Sequence, residues 1–427
     1  MPLPYTGQKG ELNFEADFVA ALVKKGWDKE ILYHKTIPEL IDNWKNVIFD
    51  RNRSALNNVP LSDSEMDRLI DTVRSEANTP VKANIFIEGK TVPVKRDGDS
   101  PDTKNAGKDV FLNIFSPAEI AGGTSKYQIA EQVIFNEQGD TRDRRGDITL
   151  LINGIPVIHI ELKASGVDIS EATNQINKYI GERKFQGFMG LVQVFWAITP
   201  EDALYFANPG ESNKMNSAFF FRWGDRDNNV ITDWKELIDG ESRILSIPEA
   251  HQLIGYYAIA DKSKDILKVC RSYQCFAIRA IVNRVSKQKW GDNDQLGGFV
   301  WCTTGGGKTM TSFKAGQLII DRGYADKVVF LVDRKALDNQ SKQEYNSVAP
   351  VGREVLETKN TTDLFNKLVT KKAGSEMLIS SIQKISRITD ESSEKRKDDL
   401  EKIKRKRIVF IVDEAHRSQF GEMGYDF

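Results

Sequence analysis

The chain has 427 residues, too many for one ordinary hydrophobic core, so two domains or three are expected. Hydrophobic residues make up 40% of it, and 60 Lys and Arg stand against 61 Asp and Glu, so no overall basic field points to nucleic acid and any such contact has to come from local patches. Cys270, Cys275 and Cys302 show no paired metal-ligand spacing, and their odd count suits reduced thiols rather than a disulfide framework; with no apolar run near the roughly 18 to 20 residues of a membrane span, a cytoplasmic protein is expected.

In chain order, LNFEADFVAALVKKG (12–26) carries apolar positions at helical spacing and stops at Gly26, which predicts a first helix. Two strand-like runs follow, ANIFIEG (83–89) and DVFLNIFS (109–116), with the Gly-, Asp- and Ser-rich loop KRDGDSPDTKNAGK between them. DITLLI (147–152) and IPVIHIELK (155–163) flank Asn153-Gly154, the strongest short hairpin signal. An amphipathic helix around SEATNQINKYI (170–180) leads to another strand, GLVQVFWAIT (190–199). This predicts a mixed α/β domain with helices flanking an antiparallel or mixed sheet. After DRDNN (225–229) the chain reads as helical to about residue 265 without a clear sheet pattern. Then GGFVW (297–301), KVVFLVD (327–333), EMLISS (376–381) and RIVFIVD (407–413) alternate with helical segments, the rhythm of βαβ units and a parallel sheet. The run SSEKRKDDLEKIKRKR (392–407) mixes both charge signs, as a solvated helical face does.

Side chains at i and i+2 of a strand share a face, so Glu161 and Lys163 point together with His159 beside them, while Ile158, Ile160 and Leu162 take the other face. Burying such charges costs several kcal/mol unless they are paired or bind a metal. The hairpin returns Asp147 to the same end. Two carboxylates and a lysine suit phosphodiester hydrolysis: Asp147 and Glu161 hold Mg²⁺ through hard oxygens, and Lys163 helps activate water or neutralise the developing phosphorane. A cross-strand Glu/Lys pair on an edge hairpin is the structural alternative. The nuclease reading also requires a parity change. A strict two-residue turn with unbroken pairing would put Asp147 opposite Ile160, on the wrong face; a longer odd-numbered loop, a bulge near Pro156 or a bend at Gly146 would correct it. Gln175 and Tyr179 lie four apart, on one helix face.

GGFVWCTTGGGKTMTSFKAG (297–316) reads as strand, glycine loop and helix, with Gly305, Gly307, Lys308 and Thr309 placed as in a P-loop: backbone amides cradle phosphates, the lysine reaches the β and γ groups, and the threonine hydroxyl takes Mg²⁺. Cys302 stands where the generic motif has its first glycine. RIVFIVDEAH then ends a buried strand on Asp413, suited to a water-mediated Mg²⁺ contact, and Glu414, suited to act as base for the hydrolytic water. Together these predict ATP binding.

GGGKT with DEAH resembles motifs I and II of superfamily 2 helicases. Tyr273-Gln274 resembles an adenine-reading Q motif, and VDRKALDNQ and ISSIQK resemble the DNA-contacting motifs Ia and Ib. GDITLLINGIPVIHIELK followed by NQINKY resembles the PD-(D/E)xK nuclease of the restriction (HsdR) subunit of type I restriction-modification enzymes, including its QxxxY helix at Gln175 and Tyr179, and FEADF resembles its N-terminal glutamate region at Glu15. Glycine rather than proline precedes Asp147. The resemblance implies an endonuclease domain over 1–230, a connecting helical segment over 231–264 and the first RecA-like lobe over 265–427. It adds the Leu162 main-chain carbonyl to the metal ligands, and Gln274, Thr304 and Gly306 to the nucleotide contacts. It further implies double-stranded DNA as substrate, methyltransferase and specificity subunits as partners, and translocation driven by ATP. The chain stops at Phe427, eleven residues past His416, so helicase motifs III to VI and a second lobe are expected to lie outside it, and ATP hydrolysis by these residues alone is expected to be negligible. Other readings are a freestanding helicase-nuclease of DNA repair and a non-catalytic DNA- or ATP-binding product.

Overall fold

A computed structural model describes residues 5–89, 91–119, 123–135, 144–211, 215–291, 297–303, 305–332, 339–350, 354–370, 376–390 and 394–412. They divide into two compact units, Met1–Tyr273 and Gln274–Phe427.

The first unit opens with α1 (Gly7–Lys24), β1 (Leu32–Tyr33) and three further helices whose starts are written in the sequence. Thr36 with Glu39 and Ser62 with Glu65 form reciprocal capping boxes at α2 (Ile37–Arg51) and α3 (Asp63–Glu76), satisfying amides that a helix start leaves unbonded. ANIFIEG is not a strand. It lies in α4 (Pro80–Glu88), because Thr79 caps the Lys82 amide and Pro80 occupies the first turn, where its fixed φ favours a helix; strand propensity in Ile85, Phe86 and Ile87 yields to that start signal. A hairpin of β2 (Thr91–Lys95) and β3 (Asp109–Asn113) follows.

The main sheet has six strands in the order β1-β4-β5-β6-β7-β8, where β4 is Tyr127–Ile134, β5 Arg145–Ile152, β6 Ile155–Leu162, β7 Val194–Ile198 and β8 Ala203–Ala207. Neighbours are antiparallel except β1 with β4 and β6 with β7. The parallel β6–β7 pair needs a crossover, and α5 (Ser170–Gly181) supplies it. Every residue of β6 is buried, so both faces of this central strand are covered. The stretch after residue 225 has short helices, α6 (Glu236–Asp239) and α7 (Glu249–Gln252), and also a hairpin of β9 (Ala258–Asp261) and β10 (Ile266–Val269), which the sequence pattern did not suggest. This stretch is part of the first unit: Trp234 packs edge-on against Phe14 and tilted against Phe18 of α1, and the Trp27 indole donates to the Leu245 carbonyl.

In the second unit α8 (Ser272–Ser286) and α9 (Lys308–Asp321) precede alternating strands and helices: β11 (Lys327–Val332), α10 (Asn339–Val348), β12 (Leu356–Glu357), α11 (Thr361–Val369), β13 (Met377–Ser381), α12 (Ile382–Asp390), α13 (Glu394–Lys404) and β14 (Ile408–Val412). The strands form an all-parallel sheet in the order β12-β13-β11-β14. Val329, Leu331, Leu364, Leu368, Leu378 and Ile385 are buried together in its core. The strand expected at GGFVW is absent from the described sheet: residues 297–301 are irregular, and Phe299 and Trp301 are each 90% exposed. Apolar residues form a strand only where a neighbouring ladder accepts them, and among the described residues β14 pairs with β11 alone. No helix among the described residues is long and apolar enough to cross a membrane.

Candidate active site

The hairpin turn is the two-residue form that Asn153-Gly154 announces. Ile152 pairs with Ile155, and Asn153 and Gly154 take φ of 55° and 80°, the left-handed pair of a type I′ turn. The parity change comes one step later. Leu151 pairs with Pro156 but Leu150 pairs with Ile158, leaving Val157 as the extra residue of a bulge. Beyond it Thr149 faces His159 and Ile148 faces Ile160. Continued one residue, that register sets Asp147 across from Glu161 rather than Ile160. Asp147 is tied to the end of β6 by its Oδ2, which accepts the Leu162 amide at 2.8 Å.

Glu161 is fully buried. Its Oε1 meets His159 Nε2 at 2.8 Å, while Oε2 has no donor unless it shares a proton with the adjacent Asp147 carboxyl. Burial pushes Glu161 up to about 8, against the pull of the Lys163 ammonium. Burial and then the Glu161 charge hold Asp147 well above the ordinary carboxylate range. Two carboxyls forced together in a low-dielectric site keep a proton between them, and a cation would take its place. Burial works against the charge of Lys163, but Asp147, Glu11 and Glu161 outweigh it and raise its pKa. Its Nζ contacts Glu11 Oε1 and the Leu162 carbonyl, each at 2.9 Å. A lysine so held is an ammonium, suited to charge neutralisation and not to taking a proton from water. His159 is neutral, its pKa lowered by burial to about 4.

Helices α1 and α5 close the site. Glu15 is buried on α1, one turn from Glu11 on the same face. Burial raises it to about 7, partly offset by the bond from Gln132, with Asp147, Glu131 and Glu11 adding to the rise. On α5, Gln175 Nε2 donates to the Tyr179 hydroxyl at 2.8 Å, and that hydroxyl donates to the Arg145 carbonyl at 2.6 Å, two residues before Asp147. Burial and then Glu161 raise the Tyr179 pKa. Glu11 and Gln132 went unread in the sequence. Gln132 lies in β4 with φ of 55°, between the Glu131–Ile148 and Val133–Gly146 pairs and so across from Asp147, and its Nε2 donates to Glu15 Oε1 at 2.7 Å. A left-handed glutamine inside a strand costs roughly 1 to 2 kcal/mol, and no sequence pattern announces it; spacing of four from Glu15 would have found Glu11. Among the described residues no group of three or more His, Cys, Asp or Glu is set to hold a metal. The donors at hand are two carboxylates and the Leu162 carbonyl, which Lys163 Nζ also contacts, and a buried carboxylate oxygen that no N–H reaches fits a hard divalent cation.

In the second unit Gly305 and Gly307 both take φ of 78°, and Lys308 begins α9, so the glycine loop runs into a helix start as a phosphate cradle does. Gln274 reaches this loop, its Nε2 donating to the Gly306 carbonyl at 2.9 Å. Thr309 lies in the first turn of α9. Thr304, Asp413 and Glu414 lie outside the described residues.

Residues 9–214 match the family described as type I restriction enzyme R protein N terminus, and residues 273–426 match the SWI2/SNF2 ATPase family. An endonuclease subunit of a type I restriction enzyme from Staphylococcus saprophyticus is 31% identical over 415 residues, 97% of this chain and 40% of its own length. A counterpart from Staphylococcus aureus is 31% identical over 97% of this chain and 41% of its own length. A Mycoplasma pneumoniae protein assigned as the C-terminal part of such a subunit is 38% identical over 206 residues, 47% of this chain and 96% of its own length. The chain thus spans about two fifths of the staphylococcal relatives.

Proposed function

The chain belongs to the endonuclease-subunit family of type I restriction enzymes, and from that premise we propose that its first unit is a Mg²⁺-dependent PD-(D/E)xK nuclease and its second the first RecA-like lobe of an ATP-driven translocase on double-stranded DNA. One observation carries the nuclease reading: the bulge at Val157 sets Asp147 across from Glu161, with Lys163 at the same strand end. Asp147, Glu161 and the Leu162 carbonyl would hold the ion. When bound, Mg²⁺ polarises the phosphodiester and activates water. Lys163 stays protonated and neutralises charge on the phosphate, Glu11 orients the lysine, and Tyr179 with Gln175 fixes the backbone ahead of Asp147. Glu15 places a third carboxyl beside the pair.

In the second unit the amides around Gly305, Gly306 and Gly307, with Thr304, cradle the nucleotide phosphates. Lys308 reaches the terminal phosphates, Thr309 and Asp413 hold Mg²⁺, Glu414 orients water and Gln274 reads adenine. Methyltransferase and specificity subunits supply DNA recognition in the cytoplasm. The test is ATP-dependent cleavage of closed circular DNA by these residues within the full-length subunit, assembled with those partners. Glu161→Ala abolishes cleavage and spares ATP hydrolysis, whereas Lys308→Ala abolishes both; parallel loss of ATPase in Glu161→Ala would make the first site structural.

A further inference from the structure

We propose that His159, backed by Thr149 and given room by Gly146, is the positioning residue that fixes the direction of the Glu161 carboxylate; this rests on the reading of Glu161 as a metal ligand. The ring bridges two side chains. Nε2 lies 2.8 Å from Glu161 Oε1, and Nδ1 lies 3.0 Å from the Thr149 hydroxyl, on the residue directly opposite in β5. Once a cation replaces the proton on Glu161 the carboxylate only accepts, so Nε2 then carries the hydrogen and Nδ1 accepts from Thr149. The Thr149 hydroxyl can donate to Nδ1, and so holds the ring in the form that donates to Glu161.

Packing fixes the ring itself. Phe135, Phe185 and Phe195 surround it at centroid distances of 5.9, 5.0 and 6.2 Å, all at steep interplanar angles. On another side a Cβ at Gly146 would lie 2.5 Å from His159 Cε1 and 2.7 Å from two Phe135 ring atoms. Any other residue there would displace the imidazole, the Phe135 ring or both, which gives the glycine ahead of Asp147 a reason of its own. With Oε1 held by His159, Oε2 is the oxygen that no N–H reaches in a fully buried side chain. Hydrogen bonds behind a ligating carboxylate set its orientation, and losing one costs about 10- to 100-fold in metal affinity.

The test is calorimetric titration of the full chain with Mn²⁺ alone, without nucleotide, alongside unfolding curves of each variant. His159→Leu, similar in bulk but without a donor, binds Mn²⁺ about 10- to 100-fold more weakly, while His159→Gln, whose amide nitrogen has a matching reach, stays near wild type. Thr149→Val, nearly isosteric, weakens binding in the same direction and serves if His159→Leu does not fold. Gly146→Ala weakens binding in the wild-type background and has a smaller effect in His159→Ala, where only the Phe135 contact remains. Wild-type affinity in both His159→Leu and Thr149→Val, or equal losses in His159→Leu and His159→Gln, would overturn the positioning role. If wild type shows no Mn²⁺ binding that Asp147→Ala removes, the metal-site reading itself fails.

Discussion

Replacing Glu161 by glutamine removes an ionisable group while keeping the oxygen that His159 holds. Glu161 titrates near 8 in the folded protein against 4.5 for a free side chain, so the folded state binds this proton more tightly than the unfolded state does. The sign follows by linkage. Without metal, this carboxyl carries no penalty below about pH 4.5, costs stability progressively as pH rises toward 8, and costs no more above it. At 1.36 kcal/mol per pKa unit the full shift would amount to at most about 5 kcal/mol, and because Asp147 takes part in the same titration we expect about 2 to 4 kcal/mol. Urea unfolding of the full chain in a chelator, followed by the fluorescence of buried tryptophans such as Trp196, measures this from pH 5 to 9. Glu161→Gln should match wild type at pH 5 and exceed it by about 2 to 4 kcal/mol at pH 8.5. Saturating Mn²⁺ should reverse the order, since only wild type gains from the cation. No gain at pH 8.5, or an equal loss at both pH values, would refute the reasoning that a buried carboxyl is kept at a cost for metal binding.

Lys308→Ala should remove nucleotide binding, read by calorimetry with Mg²⁺-ATP, and leave Mn²⁺ binding without nucleotide unchanged, because the glycine loop and the carboxylate pair belong to different units. Tyr179→Phe removes the hydroxyl that joins Gln175 to the Arg145 carbonyl; it should lower the unfolding free energy by about 1 kcal/mol and slow DNA cleavage in the assembled enzyme. Gly154→Ala puts a Cβ 2.9 Å from Trp44 Cδ1 at a φ of 80°, so it should cost about 2 to 4 kcal/mol in unfolding experiments, whereas Gly98→Ala, with nothing within 4 Å, should cost far less.

Much of the site was legible in the sequence because it sits on a hairpin, where turn chemistry and strand alternation fix register over a few residues. Asn153-Gly154 gave the turn, and the need to bring Asp147 to the face of Glu161 demanded the irregularity found at Val157, beside a proline that cannot donate to the ladder. Helical spacing put Gln175 and Tyr179 on one face, and only the family resemblance marked them as site residues. What stayed hidden depends on contacts between distant segments: Lys163 with Glu11 across 152 positions, and Glu15 with Gln132 across 117. In the fold, ANIFIEG misled because its apolar content outweighed the Thr79-Pro80 start signal, and GGFVW because strand character is realised only beside a partner strand.

Whether Asp147 and Glu161 hold a divalent cation is tested most directly by anomalous diffraction from crystals of the chain grown with Mn²⁺ and no nucleotide. A single manganese peak is expected with oxygens of Asp147, Glu161 and the Leu162 carbonyl each about 2.0 to 2.6 Å away. A site empty at saturating Mn²⁺, or manganese bound elsewhere with the Asp147 and Glu161 carboxyls unligated, would contradict the nuclease assignment.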